Sequence, residues 1–266
     1  MQNKTTLPFT KYQGTGNDFI LIDQRQTRYL TRADVKKINF LCDRRFGIGA
    51  DGLILLQNKP GYDFEMIYFN ADGNESTMCG NGGRCIVAFA AHLGIIEDRC
   101  TFLAIDGKHE AVIRPDGWVE LKMSNVKSVE KTGSAYVLDT GSPHYVTFVE
   151  DLTDIDVPES GAIIRYNERF KKEGINVNFA EIDKGTLHVG TYERGVEDET
   201  LSCGTGVTAC ALAYYLYSDK AADTTVPIQA KGGELEVRFS AAEDGSFEEI
   251  WLCGAAVKVF LGEVLV

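Results

Sequence analysis

Two short cysteine motifs of closely similar sequence occur 124 positions apart in this chain of 266 residues. The first reads Cys-Gly-Asn-Gly from Cys79, the second reads Cys-Gly-Thr-Gly from Cys203, and an apolar run follows each. Polar turns that begin at Asn70 and Glu193 precede the two motifs, with one more residue in the second interval than in the first. A repeat at about half the chain length is what duplication of a domain leaves behind. The pattern therefore predicts two similar lobes.

Strand-like runs dominate the rest of the chain, and Gly, Asp and Asn separate them. Helical periodicity is confined to four segments, at residues 32–41, 82–93, 168–172 and 204–217. One long helix per half among many short strands predicts an α+β fold of two pseudo-symmetric lobes, each a β-barrel-like curled sheet around a central helix. We place the boundary near residues 121–127, which gives lobes of residues 1–121 and 122–253.

The composition argues against several classes of partner. A formal net charge of −12 and an isoelectric point near 4.9 do not suit a nucleic-acid-binding surface, because such a surface must neutralise phosphates. The longest apolar stretch, residues 86–96, contains His92 and Gly94 and cannot span a membrane. Seven cysteines without an N-terminal export signal favour reduced thiols, and hence a cytoplasmic protein.

Cys79 and Cys203 differ from the other cysteines in their setting. Each is followed by a Gly-rich turn and a predicted helix, so each sulfur is expected at a helix N-terminus, where a thiolate is stabilised. Free cysteine is otherwise a small core residue, and we assign the remaining five to packing. These five are Cys42, Cys85, Cys100, Cys210 and Cys253.

The Gly-rich turns suggest an anion site and, with the thiols, a reaction. Backbone amides at a helix start attract an anion, and two such helices directed at one centre would match one carboxylate. A thiolate on one face of an amino acid and a thiol on the other would exchange the α-proton and invert the stereocentre, without redox chemistry or a cofactor. Because one thiolate raises the cost of a second nearby, the two thiols should titrate in coupled steps.

Two other kinds of site are not supported. Residues 47–52 match the dinucleotide-binding pattern by letters, but a strand follows them where that motif requires a helix. No two cysteines have the two-residue gap of a zinc knuckle and the four histidines are scattered, so we predict no metal site. Among the histidines, His144 in a Ser-Pro-His turn is the candidate for tuning a nearby thiol.

Together these motifs resemble the diaminopimelate epimerase family of cofactor-independent, two-cysteine enzymes. The resemblance extends over nearly the whole chain and includes three further segments, at residues 14–19, 142–144 and 176–179. It implies an active site between the lobes, a C-terminal strand at residues 254–266 that returns to the first lobe, and LL- or meso-diaminopimelate as the substrate, in lysine and peptidoglycan precursor synthesis. We expect no nucleic-acid, membrane or cofactor partner, and the oligomeric state stays open, with a homodimer as one option.

The resemblance also implies roles for individual residues. Cys79 and Cys203 would be the acid–base pair, and His144 and Glu193 would modulate the two thiols. Gly80, Asn81, Gly204 and Thr205 would hold the reacting carboxylate, and the remaining substrate contacts would be Asn17, Asn70, Asn176, Glu193 and Arg194.

Three departures from the family pattern leave alternatives open. Gly52 stands where some members have a substrate-contacting Gln, Ser142 replaces the Asn that usually precedes Pro-His, and the interval from Glu193 to Cys203 is one residue longer. The departures at Gly52 and Ser142 support a related racemase or epimerase of another amino acid, whereas Asn70, Asn176 and Arg194 argue against it. A thiol redox protein would not need two carboxylate-binding turns, and a metabolite-binding protein without catalysis would not need both sulfurs.

Overall fold

The computed structural model describes residues 6–219 and 223–265. The chain divides into two compact units. The first unit extends to Leu121 and takes in the chain from Ala255 onward, and the second is Lys122–Gly254.

The first unit contains a curled sheet that begins with the first strand of the chain and includes its last. Numbered along the chain, its strands are β1 (Thr6–Gly14), β2 (Asn17–Asp23), β3 (Gly52–Gln57), β4 (Phe64–Asn70), β5 (Arg99–Ala104), β6 (Gly107–Ile113), β7 (Val119–Lys122) and β17 (Val257–Leu265). β1 is antiparallel to both β17 and β2. From β2 onward the strands pair in chain order, parallel at β2–β3 and β4–β5 and antiparallel at the other steps.

The second unit contains the intervening strands. They are β8 (Glu130–Thr132), β9 (Ala135–Asp139), β10 (Pro143–Val149), β11 (Asn176–Asp183), β12 (Thr186–Glu193), β13 (Asp198–Thr200), β14 (Thr225–Ala230), β15 (Gly233–Ala241) and β16 (Phe247–Gly254). β10–β11 and β12–β14 are parallel, and the other neighbouring pairs are antiparallel. The short β13 folds back on the end of β12.

The two units share one order of strands and helices. Parallel neighbours need a crossover connection, and a helix provides each one. The crossovers are α1 (Val35–Cys42) and α2 (Gly80–His92) in the first unit and α3 (Val157–Arg165) and α4 (Gly204–Tyr217) in the second. A short 3₁₀ turn, Leu152–Asp154, precedes α3. This repeated order confirms the pseudo-symmetric fold predicted from the two cysteine motifs.

The two longer helices are the central ones. Ten of the thirteen residues of α2 are buried, as are nine of the fourteen of α4. α2 packs against β1, β2, β3 and β6, and α4 packs against β10, β11 and β12. Since a surface helix buries a single stripe, burial on this scale means that the curled sheets enclose both helices. Among the described residues, no helix is long and apolar enough to cross a membrane.

One of the four predicted helices is wrong. Residues 168–172 form turns. The side-chain oxygen of Asn167 caps a single turn by accepting hydrogen bonds from the N–H groups of Arg169 and Phe170, and Gly174, with a φ of 78°, ends the segment before a regular helix develops. The helix of this region is α3, which begins after Asp156, whose carboxylate accepts a hydrogen bond from the N–H of Glu159 at 2.9 Å. This N-cap and the proline that follows it were the available signal.

Candidate active site

Cys79 is the N-cap residue of α2. Its backbone is extended (φ −91°, ψ 131°), and its carbonyl oxygen accepts the first helical hydrogen bond, from the N–H of Gly83 at 2.7 Å. The N–H groups of residues 80–82 precede that bond, so the helix itself does not use them. The start of α2 therefore presents several N–H donors beside a cysteine, which is a suitable place for an anion.

Asn17, the first residue of β2, lies beside this turn. Its Nδ2 donates to Oδ2 of Asp51 at 2.7 Å, which directs its Oδ1 towards α2. That oxygen accepts hydrogen bonds from Nδ2 of Asn81 at 3.3 Å and from the thiol of Cys79 at 3.5 Å. Asp51 is in turn bonded to the guanidinium of Arg44 at 2.7 Å. A chain of polar contacts thus runs from a surface ion pair to the sulfur.

A fully buried arginine supports the same turn. Nη2 of Arg84 donates to Oδ1 of Asn81 at 3.0 Å and to the hydroxyl of Thr15 at 3.1 Å. This cation adds to the positive potential of the helix N-terminus. Our sequence reasoning missed Arg84 and Asp51, although a charged residue within the apolar run after Cys79 was a signal for the first of them.

Asn70 lies at the end of β4, opposite Gly52 on β3, and its side chain is exposed. A Cβ atom at position 52 would lie 2.6 Å from Cε2 of Tyr68 and 2.7 Å from the carbonyl oxygen of Phe69. The Tyr68 ring therefore fills the space of a side chain at position 52. This explains in steric terms why position 52 is a glycine.

Cys203 is the N-cap residue of α4 and is only 8% exposed. Its backbone is extended (φ −116°, ψ 110°), and its carbonyl oxygen accepts the first helical bond, from the N–H of Val207 at 2.9 Å. The N–H groups of Gly204 and Thr205 precede that bond, as in α2. The hydroxyl oxygen of Thr205 lies 3.4 Å from the sulfur of Cys203.

His144, the second residue of β10, is fully buried beside this turn. Its Nε2 lies 2.9 Å from the hydroxyl oxygen of Thr205, and its Nδ1 lies 3.1 Å from Nδ2 of Asn178. Burial, together with the positive charge of Arg194, lowers the pKa of His144 from 6.5 to about 3. The imidazole is therefore neutral at physiological pH and acts here as a hydrogen-bonding group. Asn178 is another residue that the sequence reasoning missed.

A second polar cluster joins the starts of β10 and β11 to the turn after β12. Nδ2 of Asn176 donates to the hydroxyl of Ser142 at 2.8 Å and to the carbonyl oxygen of Pro143 at 2.9 Å. Oδ1 of Asn176 accepts the backbone N–H of Arg194 at 2.9 Å, and Nη2 of Arg194 reaches the Ser142 hydroxyl at 3.4 Å. Ser142 therefore contacts both side chains directly.

The structure distributes the predicted site residues between the two units. The first unit holds Asn17, Asn70, Cys79, Gly80 and Asn81, and the second holds His144, Asn176, Glu193, Arg194, Cys203, Gly204 and Thr205. Glu193 ends β12, immediately before Arg194. Within each unit, hydrogen bonds link the cysteine to predicted neighbours, namely Asn17 in the first and Thr205 in the second.

The other cysteines lie in apolar surroundings. Burial raises the pKa of Cys42, Cys85 and Cys100 to about 12, and it raises the pKa of Cys210 as well. None of the seven cysteines, all of which are described, forms a disulfide. Within residues 6–219 and 223–265, no three His, Cys, Asp or Glu side chains cluster in a way that could hold a metal ion.

Comparisons with known proteins give a consistent result. A family model described as Diaminopimelate epimerase matches residues 9–129 and 136–259. A diaminopimelate epimerase of Flavobacterium psychrophilum is 51% identical over 251 residues, which cover 94% of this chain and 97% of the relative. One of Aquifex aeolicus is 40% identical, with 97% of this chain and 98% of the relative covered.

Solved structures share the fold at low sequence identity. A PhzF-family phenazine biosynthesis protein of Bacillus anthracis superposes with a TM-score of 0.78 at 15% identity, covering 98% of this chain and all of the other. A hydroxyproline epimerase of Agrobacterium vitis, with bound trans-4-hydroxy-L-proline, gives 0.69 at 14% identity, covering 100% and 94%.

Proposed function

The chain belongs to the diaminopimelate epimerase family, and from this premise we propose that it interconverts LL- and meso-diaminopimelate with Cys79 and Cys203 as its acid–base pair. The observation that carries this proposal is the setting of the two cysteines. Each is the N-cap residue of a long buried helix with a Gly-rich first turn. The other five cysteines lie within helices or strands.

The proposed reaction removes one proton from one face of the α-carbon and adds a different proton at the opposite face. A thiolate on one face takes the α-proton, and the electron pair of the broken C–H bond is delocalised into the neighbouring carboxylate. The thiol on the opposite face then gives its proton to the carbon and becomes the thiolate. The stereocentre is inverted, and both sulfurs must exchange protons with solvent before the same direction can be repeated.

The first turns of α2 and α4 support the charge that develops on the carboxylate. The backbone N–H groups of Gly80 and Asn81, and of Gly204 and Thr205, are the proposed donors. Such preorganised donors stabilise a transition state more than the ground state, and loss of one typically lowers kcat by about 10²–10³. The buried Arg84 strengthens the first of these sites because its charge lies next to Asn81.

The distal end of the substrate carries a second carboxylate and ammonium group. We assign the distal carboxylate to Arg194, because guanidinium groups bind carboxylates in a bidentate manner. Asn176 and Ser142 hold the backbone and side chain of Arg194. Asn17, Asn70 and Glu193 complete the proposed substrate contacts. The roles of His144 and Glu193 as modulators of the thiols also stay proposals.

The decisive experiment is incubation with LL-diaminopimelate in deuterium oxide, without added cofactor. We expect meso product with solvent deuterium at the inverted carbon. Cys79→Ser and Cys203→Ser should abolish or severely slow inversion while ligand binding stays measurable, and Cys85→Ala is the control that keeps activity. Full activity in either serine variant would refute the two-thiol mechanism. Inversion of another amino acid in place of diaminopimelate would point to the related racemase.

We further propose that the protein is a cytoplasmic homodimer without nucleic-acid or membrane partners. The support for a dimer is the set of large apolar side chains that β17 exposes along one strand, since several exposed apolar side chains close together are a feature of interaction sites. They are Val257, Val259, Phe260, Leu261 and Leu265, each 46–69% exposed. Sedimentation velocity of the purified protein tests the oligomeric state.

A further inference from the structure

The buried side chain of Asn178 has a fixed orientation in the second unit. Its Nδ2 donates to the carbonyl oxygen of Tyr145 at 3.0 Å, and its Oδ1 accepts the hydroxyl proton of Thr191 at 2.9 Å. Because a carbonyl oxygen can only accept, the amide nitrogen must face Tyr145. The second proton of that nitrogen is directed at Nδ1 of His144, 3.1 Å away.

This contact determines which ring nitrogen of His144 carries the proton. Nδ1 accepts from Asn178, so in the neutral imidazole the proton is on Nε2. Nε2–H then donates to the hydroxyl oxygen of Thr205 at 2.9 Å, and the hydroxyl proton is directed away from the ring. Cys203 Sγ lies 3.4 Å from the same oxygen and accepts that proton. A hydrogen bond donated to sulfur favours the thiolate of Cys203.

The contact at Cys79 has the opposite direction. The Nδ2 of Asn17 is held by the carboxylate of Asp51 at 2.7 Å, so it is Oδ1 of Asn17 that faces the sulfur at 3.5 Å. An amide oxygen has no proton to donate. The bond therefore exists only while Cys79 carries its own proton, and it favours the thiol.

We propose that Asn178 and Asp51 are positioning residues that give the two cysteines opposite resting states, a thiolate at Cys203 and a thiol at Cys79. Both sulfurs lie at a helix N-terminus, so the helix dipole acts on each and does not distinguish them. The direction of the side-chain hydrogen bond at each sulfur distinguishes Cys203 from Cys79. The inference rests on the proposed function, in which the ligand-free enzyme is ready to remove a proton with Cys203 and return one with Cys79.

The charged groups around the two cysteines act alongside these hydrogen bonds. Around the start of α2, Lys11, Asp18, Arg44 and Asp51 form ion pairs with one another. The buried Arg84 on α2 adds positive potential, which opposes the hydrogen bond from Cys79 by favouring its thiolate. In the second unit, the positive charge of Arg194 acts on His144, which is neutral, and Glu193, of opposite charge, immediately precedes Arg194.

The test is the pH dependence of thiol alkylation in the ligand-free protein. The protein is treated with iodoacetamide between pH 6 and pH 10, and modification at each cysteine is followed by peptide mass spectrometry. The midpoint of each rate profile is compared, because it does not depend on how accessible the sulfur is. We expect Cys203 to have the lower midpoint, with a thiolate to thiol ratio about tenfold higher than that of Cys79 between the two midpoints.

Paired variants isolate the hydrogen bonds in the second unit. Thr205→Val removes the hydroxyl at nearly constant shape and should raise the Cys203 midpoint, whereas Thr205→Ser keeps the hydroxyl and the wild-type midpoint. Asn178→Ala should raise the midpoint as well. Thr191→Val is its matched control, because it changes the same buried cluster but leaves both bonds from the amide nitrogen of Asn178 in place.

One pair isolates the contact in the first unit. Asp51→Ala frees the amide of Asn17 to donate to sulfur and should lower the Cys79 midpoint alone. Arg44→Met removes the ion pair but not the bond from Asn17 and should leave the midpoint in place.

Two results would overturn the inference. One is a Cys79 midpoint at or below that of Cys203 in the unaltered protein. The other is an unchanged Cys203 midpoint in both Thr205→Val and Asn178→Ala. No substrate is present in these measurements, so a negative result leaves the proposed epimerase activity intact. Failure of that activity would appear only in the separate deuterium assay.

Discussion

Gly206 and Gly82 give a matched test of how tightly the start of each central helix is packed. Each is the third residue of its helix. A Cβ atom at position 206 would lie 2.5 Å from Oδ1 of Asn178 and 3.3 Å from the hydroxyl oxygen of Thr191. At position 82 the nearest atom would be Cδ1 of Ile54, at 3.2 Å. The first contact involves a buried, hydrogen-bonded pair, and the second involves the end of a flexible side chain.

The expected difference in stability follows from two opposing effects. Alanine is favoured over glycine within a helix by about 1 kcal/mol. Forcing an additional carbon into a well-packed site costs about 1–3 kcal/mol. Gly82→Ala should therefore be neutral or stabilising by up to about 1 kcal/mol, whereas Gly206→Ala should be destabilising by up to about 2 kcal/mol. With about 2–4 °C of Tm for each kcal/mol at this chain length, the two variants should differ by several degrees.

Thermal unfolding followed by circular dichroism, with one protocol for both variants, measures this difference. Gly206→Ala should also raise the alkylation midpoint of Cys203, because the added methyl group displaces Asn178. A Tm of Gly206→Ala equal to or above that of Gly82→Ala would refute the close packing of Asn178 against α4.

Three further predictions concern single side chains. Burial lowers the pKa of His144 from 6.5 to about 3, so the unfolded chain binds more protons than the folded one between these values. The free energy of unfolding should fall as the pH drops from about 6.5 towards 3, by at most about 1.4 kcal/mol per pH unit, and urea titrations should show a weaker dependence for His144→Gln. Ser142→Ala removes the acceptor shared by Arg194 and Asn176 and should raise KM for diaminopimelate with little change in kcat; a lower kcat at constant KM would contradict the distal assignment. Leu261→Lys should shift sedimentation from dimer to monomer, and an unchanged profile would remove β17 from the interface.

The central helices could be predicted well from the sequence, whereas the polar side-chain contacts could not. Residues 204–217 were predicted as a helix with the observed bounds, and residues 82–93 lie close to the observed Gly80–His92. In both, the Gly-rich turn marks the start, so the signal is local. α3 was missed because its apolar pattern is short, and the prediction relied on apolar periodicity. The N-cap residue Asp156 was the stronger signal for this helix.

Asn178 and Asp51 had no comparable local signal. Asn178 meets His144 only because β10 and β11 are parallel and His144 is in register with Asn176. Asn178 is two residues after Asn176, so its side chain is on the same face of the sheet and within reach of His144. Asp51 meets Asn17 through the pairing of the neighbouring strands β2 and β3. Such contacts depend on sheet register, which cannot be inferred from a single sequence.

The pairing of β17 with β1 determines when the first unit can be completed during synthesis. The whole second unit lies between these two strands in the chain. At about 5–20 residues per second, β1 must wait on the order of ten seconds or more for its partner. Meanwhile one edge of the nascent sheet is open, and open edges are where chains aggregate. The second unit is continuous in sequence and can fold first. We therefore expect a truncation before Val257 to reduce the yield of native protein, because the first unit, whose other strands are synthesised earliest, would lack β17.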